Sequence, residues 1–127
     1  MSQYLLLLYR EPSGPPTPAE VAEQMPKWFA LDEAMKEAGV YVGGNALQGV
    51  DTATTVEIGA GEPLVVDGPF AETKEILGGY YLIDVPDLDE ALRWAKRVPY
   101  AAGKVEVRPI MPLEAFKAML EGAHQAG

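Results

Sequence analysis

Acidic, basic and aromatic residues that could bind or transform a small molecule cluster after one apolar segment of the chain. Asp67 follows Val65 and Val66 directly and begins the sequence DGPF at residues 67–70. A carboxylate beside an aromatic ring is shielded from water, which suits it to act as a general acid or base. Asp-Gly-Pro sequences also start turns, in which the carboxylate accepts backbone N–H groups. Both a catalytic and a structural role are therefore open for Asp67.

Residues near this segment and near other strand ends extend the candidate site. Lys74 can hold an anionic ligand beside Asp67, although isolated lysines are mostly surface residues. Tyrosines at strand positions are usually core residues, but with a few polar groups they can also wall a small-molecule cavity. The tyrosines in question are Tyr9, Tyr41, Tyr80 and Tyr81. The predicted ligand-binding residues are Tyr9, Asp67, Gly68, Pro69, Phe70, Thr73, Lys74, Tyr80 and Arg108, with Asp67 as the candidate catalytic residue.

Residue types that are absent or isolated exclude several other kinds of chemistry. The chain has no cysteine, which removes disulfides, thiol nucleophiles and thiolate metal sites. The one histidine is His124, three residues from the C-terminus, where we expect a solvated tail. The glycine pairs lack the sequence of a phosphate loop or of a dinucleotide site. We therefore expect no metal site, no Ser-His triad and no cofactor.

The charge balance narrows the class of partner. The net charge is −9, from 19 acidic and 10 basic residues. Nucleic acids and anionic membranes attract basic surfaces, so neither is an expected partner. The apolar run at residues 4–9 has no basic start and is far shorter than the ~20 residues of a membrane span. A cytoplasmic location is predicted.

The pattern of apolar residues predicts the elements that position these candidates. Residues 4–9 are apolar throughout, which is typical of a strand buried on both faces. A long helix is predicted from the cap Thr17 to Gly39, with Pro26 kinking it or splitting it in two. The other predicted elements are a strand from residue 40 with a bulge or a bend at Gly43-Gly44-Asn45, a hairpin with a half-buried strand at 54–58 and a second strand at 64–66, a short helix over 68–77, a strand over 80–85, a helix started by Asp87, a strand through Val105 and Val107, and a helix over 112–123.

This order is an α+β skeleton, βαββαβ, with an extra central hairpin and a C-terminal helix. Two helices would cover one face of an antiparallel sheet, and Trp28, Phe29 and Trp94 are interpreted as helix–sheet packing. Alternation along the first strand directs Leu5 and Leu7 to the opposite, open face. An open apolar face of this size favours a homodimer that packs sheet against sheet.

Several segments resemble one family in the same order along the chain. DGPFAETKE at residues 67–75 and LGGYYLIDV at 77–85 resemble the DGPF group of YCII-related proteins, and residues 4–9 and 105–110 fit as well. The resemblance covers about residues 1–111 and implies a ferredoxin-like fold of the dimeric α+β barrel superfamily. Relatives have been proposed as enzymes because a histidine and an aspartate meet in a cleft. Here residues 25–29 of the first helix contain no histidine, so only Asp67 carries over.

Three functions follow from these observations. The first is a homodimeric small-molecule-binding or accessory protein made of a single domain over residues 1–127, with a core at 1–111 and a C-terminal helix and tail at 112–127. The second is an enzyme without metal or cofactor that uses Asp67. The third is a protein-interaction module that docks through the C-terminal helix. The resemblance links this third function to transcription, because some DGPF relatives occur beside or fused to sigma factors.

Overall fold

A four-stranded antiparallel sheet with the strand order β2-β5-β1-β6 is the centre of the computed structural model, and β3 and β4 form a separate two-stranded sheet. The structure describes residues 1–12, 16–69 and 74–126, the last three of these by their backbone only. The strands are β1 (Ser2–Arg10), β2 (Tyr41–Ala46), β3 (Thr54–Glu57), β4 (Leu64–Asp67), β5 (Ile76–Val85) and β6 (Gly103–Pro109), and the helices are α1 (Pro18–Glu37), α2 (Leu88–Ala95) and α3 (Leu113–Ala126). The predicted α+β class, with antiparallel sheets, is confirmed.

Strand β1 occupies a central position because both of its faces are apolar. Leu6 lies opposite Tyr81 of β5 and opposite Val107 of β6. Its side chain is fully buried, as is that of Ile83 on the same face. Leu5 and Leu7 point to the other face and are half-buried. The alternation predicted for this strand is confirmed.

The two helices on the sheet begin at the predicted caps. The Thr17 hydroxyl accepts a hydrogen bond from the Glu20 N–H at 3.2 Å. The Asp87 carboxylate accepts one from the Glu90 N–H at 3.0 Å. Side-chain acceptors at this position satisfy N–H groups that have no partner within the helix. Both helices therefore start where a local sequence signal places them.

The interior of α1 differs from the prediction. The helix runs without interruption from Pro18 to Glu37 with Pro26 inside it, so of the two outcomes predicted for Pro26, a kink or a split, the split is wrong. Proline removes one backbone hydrogen bond, and the helix continues through this position. Beyond it, Leu31 and Met35 are buried in the core.

The segment before β5 also differs from the prediction. Ile76 and Leu77 pair with Arg10 and Tyr9 of β1, so the predicted short helix does not reach Leu77. Gly78, predicted to stop that helix, lies within the strand. The remainder of the predicted helix falls mainly on residues 70–73, outside the described part of the chain. The bulge or bend predicted at Gly43-Gly44-Asn45 corresponds to an irregularity one residue earlier, where the register shifts between Tyr41 and Gly43.

Three apolar surfaces have no covering element among the described residues. The first is the sheet face opposite the helices, with Leu5, Leu7 and Leu82 at its centre. The second is the β3–β4 hairpin, where the half-burial predicted for the first strand is wrong. The third is the stripe along α3. The large apolar residues exposed on the hairpin and α3 are Val56, Ile58, Leu64, Val65, Val66, Leu113, Phe116, Met119 and Leu120.

The predicted C-terminal helix and its apolar stripe are present, and the side chain of His124 lies outside the described part. No helix that the structure describes is long and apolar enough to cross a membrane.

Candidate functional site

A cavity of about 360 Å³ lies between α1 and the edge of the sheet formed by β2 and β5. It opens on the face of the sheet that carries the helices. The described lining residues are Leu8, Met25, Trp28, Phe29, Asp32, Tyr41, Gly44, Asn45, Ala46, Gly78, Gly79, Tyr80, Tyr81 and Tyr100. The walls are thus mainly aromatic and backbone, with a few polar groups.

The aromatic walls are held in place by contacts with one another. The Trp28 ring lies 5.2 Å from the Tyr100 ring, edge to face, and 6.5 Å from the Tyr81 ring. The Tyr41 ring meets the Tyr81 ring edge to face at 6.4 Å. Such arrangements add to the stability gained from burial. The side chains form a rigid lining assembled from α1, β2, β5 and the segment before β6.

Gly44 lets the Tyr81 ring lie close to strand β2. A Cβ atom at residue 44 would be 2.8 Å from Cδ1 of Tyr81. Carbon atoms in normal contact are about 3.5–4.0 Å apart. Glycine at this position therefore allows the aromatic floor of the cavity to form.

Asp32 supplies a carboxylate to the cavity from the same helix as Trp28. Its Oδ2 atom lies 2.8 Å from Nζ of Lys36, one helical turn away. The Lys36 ammonium also lies 4.9 Å from the centroid of the Tyr41 ring. The hydrogen bond to Asp32 and the charge of that carboxylate raise the pKa of Lys36. An ammonium group is thus already held at this corner of the site.

The hydroxyls of Tyr81 and Tyr100, which line the cavity, remain protonated at neutral pH. Burial, and secondarily the charge of Asp32, raise the pKa of Tyr81 to about 12. Burial also raises the pKa of Tyr100, while the charge of nearby Arg10 acts in the opposite direction. Neutral phenols both donate and accept hydrogen bonds. The cavity therefore offers uncharged hydroxyls beside one carboxylate.

A second, more open depression is lined by Tyr9, Glu75, Lys104, Val105 and Glu106. Lys104 forms an ion pair with Glu75 there, and the hydrogen bond in this pair raises the pKa of Lys104. Exposed pairs of this kind contribute little to stability. Aromatic residues that contact one another line only the first cavity among the described residues, so we take that cavity as the candidate site.

The predicted ligand-binding residues are distributed over several places. Tyr80 lines the cavity, and its hydroxyl accepts a hydrogen bond from Nδ2 of Asn45 at 2.8 Å. Tyr9 lines the second depression, and Arg108 lies exposed on β6 opposite Leu5. The roles predicted for these residues stay predictions.

The DGPF sequence of residues 67–70 begins at the end of the β3–β4 hairpin. Asp67 is the exposed last residue of β4. The Gly68 N–H donates to the Ala53 carbonyl at 2.8 Å, and the Gly68 carbonyl accepts from Thr55 Oγ1 at 2.7 Å. The described lining of the cavity does not include Asp67, Gly68, Pro69 or the exposed Lys74. Phe70 and Thr73 lie outside the described residues. The catalytic role of Asp67 stays a prediction.

Several lining residues were not among the predicted ligand-binding residues. Trp28 and Asp32 lie four positions apart, so they share one face of α1, and this spacing was the available signal. Trp28 and Trp94 pack against the core as predicted. The same prediction for Phe29 is wrong, because 65% of this residue is exposed at the rim of the cavity. Tyr100 gave no local signal, since it reaches Trp28 only through the fold.

Comparison with known proteins identifies the family of this chain. The family model described as the YCII-related domain matches residues 2–114. The chain belongs to the YCII-related family. A relative from Rhizobium meliloti (strain 1021), described as an uncharacterized protein, is 54% identical over 61 residues. That match spans 46% of this YCII-related chain and 49% of the relative, about half the length of each.

The described residues of this YCII-related protein include no group of three or more histidine, cysteine, aspartate or glutamate side chains placed to hold a metal ion. What they bring together is an aromatic cavity with hydroxyl groups and a carboxylate, which is an arrangement suited to binding an organic molecule.

Proposed function

We propose that this YCII-related protein is a homodimer whose subunits each bind a small organic molecule in the cavity between α1 and the sheet. The cavity of about 360 Å³ carries the proposal. Sites for small molecules typically measure about 300–1,000 Å³ and combine apolar walls with a few polar groups. Here Trp28, Tyr81 and Tyr100 supply the walls, and Asp32 supplies a polar group.

Blocking the cavity tests the binding function. Ala46 lines the cavity on β2, whereas its exposed neighbour Leu47 does not. Ala46→Phe would place an aromatic ring in the space, and Leu47→Phe is the matched control with the same new side chain outside it. A metabolite panel is screened by thermal shift, since a ligand of the folded state raises the melting temperature. We expect ligands that stabilise the wild type and Leu47→Phe but fail to stabilise Ala46→Phe. Equal stabilisation of all three proteins would place the ligand elsewhere and contradict the proposal.

Asp67→Asn in the same screen tests the predicted role of Asp67 in ligand binding and catalysis. A ligand that stabilises wild type and Asp67→Asn equally excludes Asp67 from the ligand site. Loss of stabilisation would connect the hairpin end to the site. Turnover of that ligand by the wild type, absent in Asp67→Asn, would favour the alternative of an enzyme without metal or cofactor.

The second part of the proposal is a ferredoxin-like fold that dimerises as a dimeric α+β barrel. The order β2-β5-β1-β6 with two helices on one face supports it. The open face carries Leu5, Leu7 and Leu82, which a second copy would cover.

Exposed apolar residues outside the four-stranded sheet also favour a second copy of the chain as the covering partner. An isolated two-stranded hairpin is at best marginally stable in water. The β3–β4 hairpin nevertheless exposes Val56, Leu64 and Val65, which are 51%, 57% and 65% accessible. Phe116 of α3 is 56% exposed. A second copy that covers the sheet, the hairpin and α3 together would remove these apolar surfaces from water.

A charge placed on the open face tests the dimer. Leu82→Asp would bury a carboxylate without a partner in the interface, which strongly disfavours association. Val21→Asp introduces the same charge on α1 at an exposed residue. By light scattering at micromolar concentration we expect a dimer for wild type and Val21→Asp and a monomer for Leu82→Asp. A monomeric wild type would contradict this part of the proposal.

A further inference from the structure

The charge of the cavity selects among classes of ligand. Asp32 is the charged residue among the described lining residues. Lys36 contacts its Oδ2 atom, and no described residue forms a hydrogen bond with the other oxygen. The net charge of −9 adds a negative potential around the molecule. A cation therefore gains on entering the cavity, whereas an anion meets repulsion.

The aromatic walls favour the same sign of charge. The faces of tryptophan and tyrosine rings attract cations, and tryptophan is the most effective. Lys36 demonstrates this property within the protein, because its ammonium lies 4.9 Å from the Tyr41 ring and 2.8 Å from Asp32. The same combination of a carboxylate and ring faces, with Trp28 and Tyr81, lines the interior of the cavity.

Nothing among the described lining residues would offset the charge of an anion. Lys36 and Arg10 are near but do not line the cavity. Because burial raises the pKa of Tyr81 to about 12, its hydroxyl stays neutral and adds no negative charge. The hydroxyls of Tyr81 and Tyr100 are left to orient a polar group of the ligand.

We propose that the cavity binds small molecules that carry a primary or alkylated ammonium group, with the ammonium beside Asp32 and the rest of the molecule against the aromatic walls. This inference rests on the proposed binding function and adds the chemical class of the ligand. Amines and quaternary ammonium compounds share the recognised group. Probes of each type distinguish them, since a protonated amine can also donate N–H hydrogen bonds to Asp32, whereas a quaternary ammonium group has no N–H.

Three probes of similar size and different charge test the inference. Choline carries a trimethylammonium group, 3,3-dimethyl-1-butanol is its neutral carbon isostere, and trimethylacetate is an anion. Binding is followed by the Trp28 indole N–H signal in an NMR titration, with Trp94, which does not line the cavity, as an internal control. Ethanolamine is the primary-amine probe. We expect choline or ethanolamine to shift the Trp28 signal at lower concentration than the isostere, and trimethylacetate to shift it least.

Two variants of α1 give opposite expected effects. Asp32→Asn removes the carboxylate and should weaken binding of the cationic probe about tenfold, as expected for one lost charge contact in a partly exposed site. Glu33→Gln makes the same change at the next, exposed residue and should leave binding unchanged. Lys36→Met removes the competing ammonium and should tighten binding, a gain that misfolding does not produce. Equal melting temperatures of Asp32→Asn and Glu33→Gln would verify that the comparison is between folded proteins.

The outcomes separate this inference from the proposed function. If the neutral isostere or the anion binds as tightly as the cations, or if Asp32→Asn binds choline and ethanolamine like wild type, the ammonium class is wrong. A neutral or anionic metabolite that binds the wild type and Leu47→Phe but does not bind Ala46→Phe would also overturn the ammonium class. It would leave the proposed binding function intact. If no probe and no panel compound shifts the Trp28 signal, both are wrong.

Discussion

Gly79→Ala should destabilise the protein through one defined clash between neighbouring strands. A Cβ atom at residue 79 would be 2.7 Å from the carbonyl oxygen of Asn45 and 3.3 Å from Cα of Ala46. Both atoms are backbone atoms of β2, so they move only if the edge strand moves. Heavy atoms in contact normally lie about 3.5–4.0 Å apart, so the strands must separate by roughly 0.5 Å or more.

The neighbouring glycine is the matched control. A Cβ atom at residue 78 would lie 3.2 Å from the Tyr100 hydroxyl and 3.5 Å from Nε of Arg10. Both are the ends of side chains, which can move away at little cost. The two substitutions add the same methyl group to adjacent residues of β5, so their difference isolates the approach of β2.

The size of the effect follows from these contacts. Overpacking by a methyl group in a buried position costs about 1–3 kcal/mol. For a chain of 127 residues, this loss corresponds to a melting temperature lower by about 3–12 °C. For Gly78→Ala we expect a change of less than about 0.5 kcal/mol. Urea unfolding followed by circular dichroism measures both variants, and an unchanged dependence on urea would show that only stability differs.

A melting temperature of Gly79→Ala within 1–2 °C of Gly78→Ala, on the scale of roughly 4 °C per kcal/mol, would refute the reasoning. It would mean that β2 adapts freely to β5. The Gly78-Gly79 pair would then have no role in strand packing, and its presence in β5 would need another cause.

Three further predictions concern the core, the cavity and a helix cap. Ile83→Ala removes a fully buried side chain and should cost about 2–5 kcal/mol in urea unfolding, whereas Ile58→Ala, at a residue that is 84% exposed, should cost less than about 0.5 kcal/mol; similar losses would contradict the assignment of the core. Because the pKa of Tyr81 is raised to about 12 in the folded protein, the unfolded chain loses this proton at a lower pH. The free energy of unfolding should therefore fall as the pH rises from about 10 toward 12, and it should fall less steeply in Tyr81→Phe. Identical slopes for the two proteins would show that Tyr81 ionises normally. Thr17→Ala removes the cap of α1 and should cost about 0.5–2 kcal/mol, with no loss if the Glu20 N–H finds water instead.

Local signals in the sequence predicted the scaffold well. The caps at Thr17 and Asp87 and the apolar alternation of β1 depend on residues close in the chain, so pattern alone locates them. Of the two outcomes predicted for Pro26, a kink or a split, the split is wrong, because α1 is continuous from Pro18 to Glu37. Proline removes one backbone hydrogen bond, and the loss of one bond does not end the helix here.

The candidate site was harder to predict, because its residues come from distant segments. Trp28, Tyr81 and Tyr100 meet only after α1, β5 and the segment before β6 have packed together. The site was predicted around Asp67 because charged residues near a turn can be recognised from the sequence alone. An aromatic cavity has no such compact motif, so only Tyr41, Tyr80 and Tyr81 were anticipated as possible cavity walls.

The central position of β1 has a consequence for how the protein is made. This strand leaves the ribosome well before both of its hydrogen-bonded neighbours, β5 and β6, which follow much later in the sequence. Until they emerge, its apolar residues have no strand to pair with, and such long-range pairing forms slowly. Nascent chains should therefore engage chaperones through residues 4–9, and a polar substitution on the open face at Leu5 should reduce that engagement during translation.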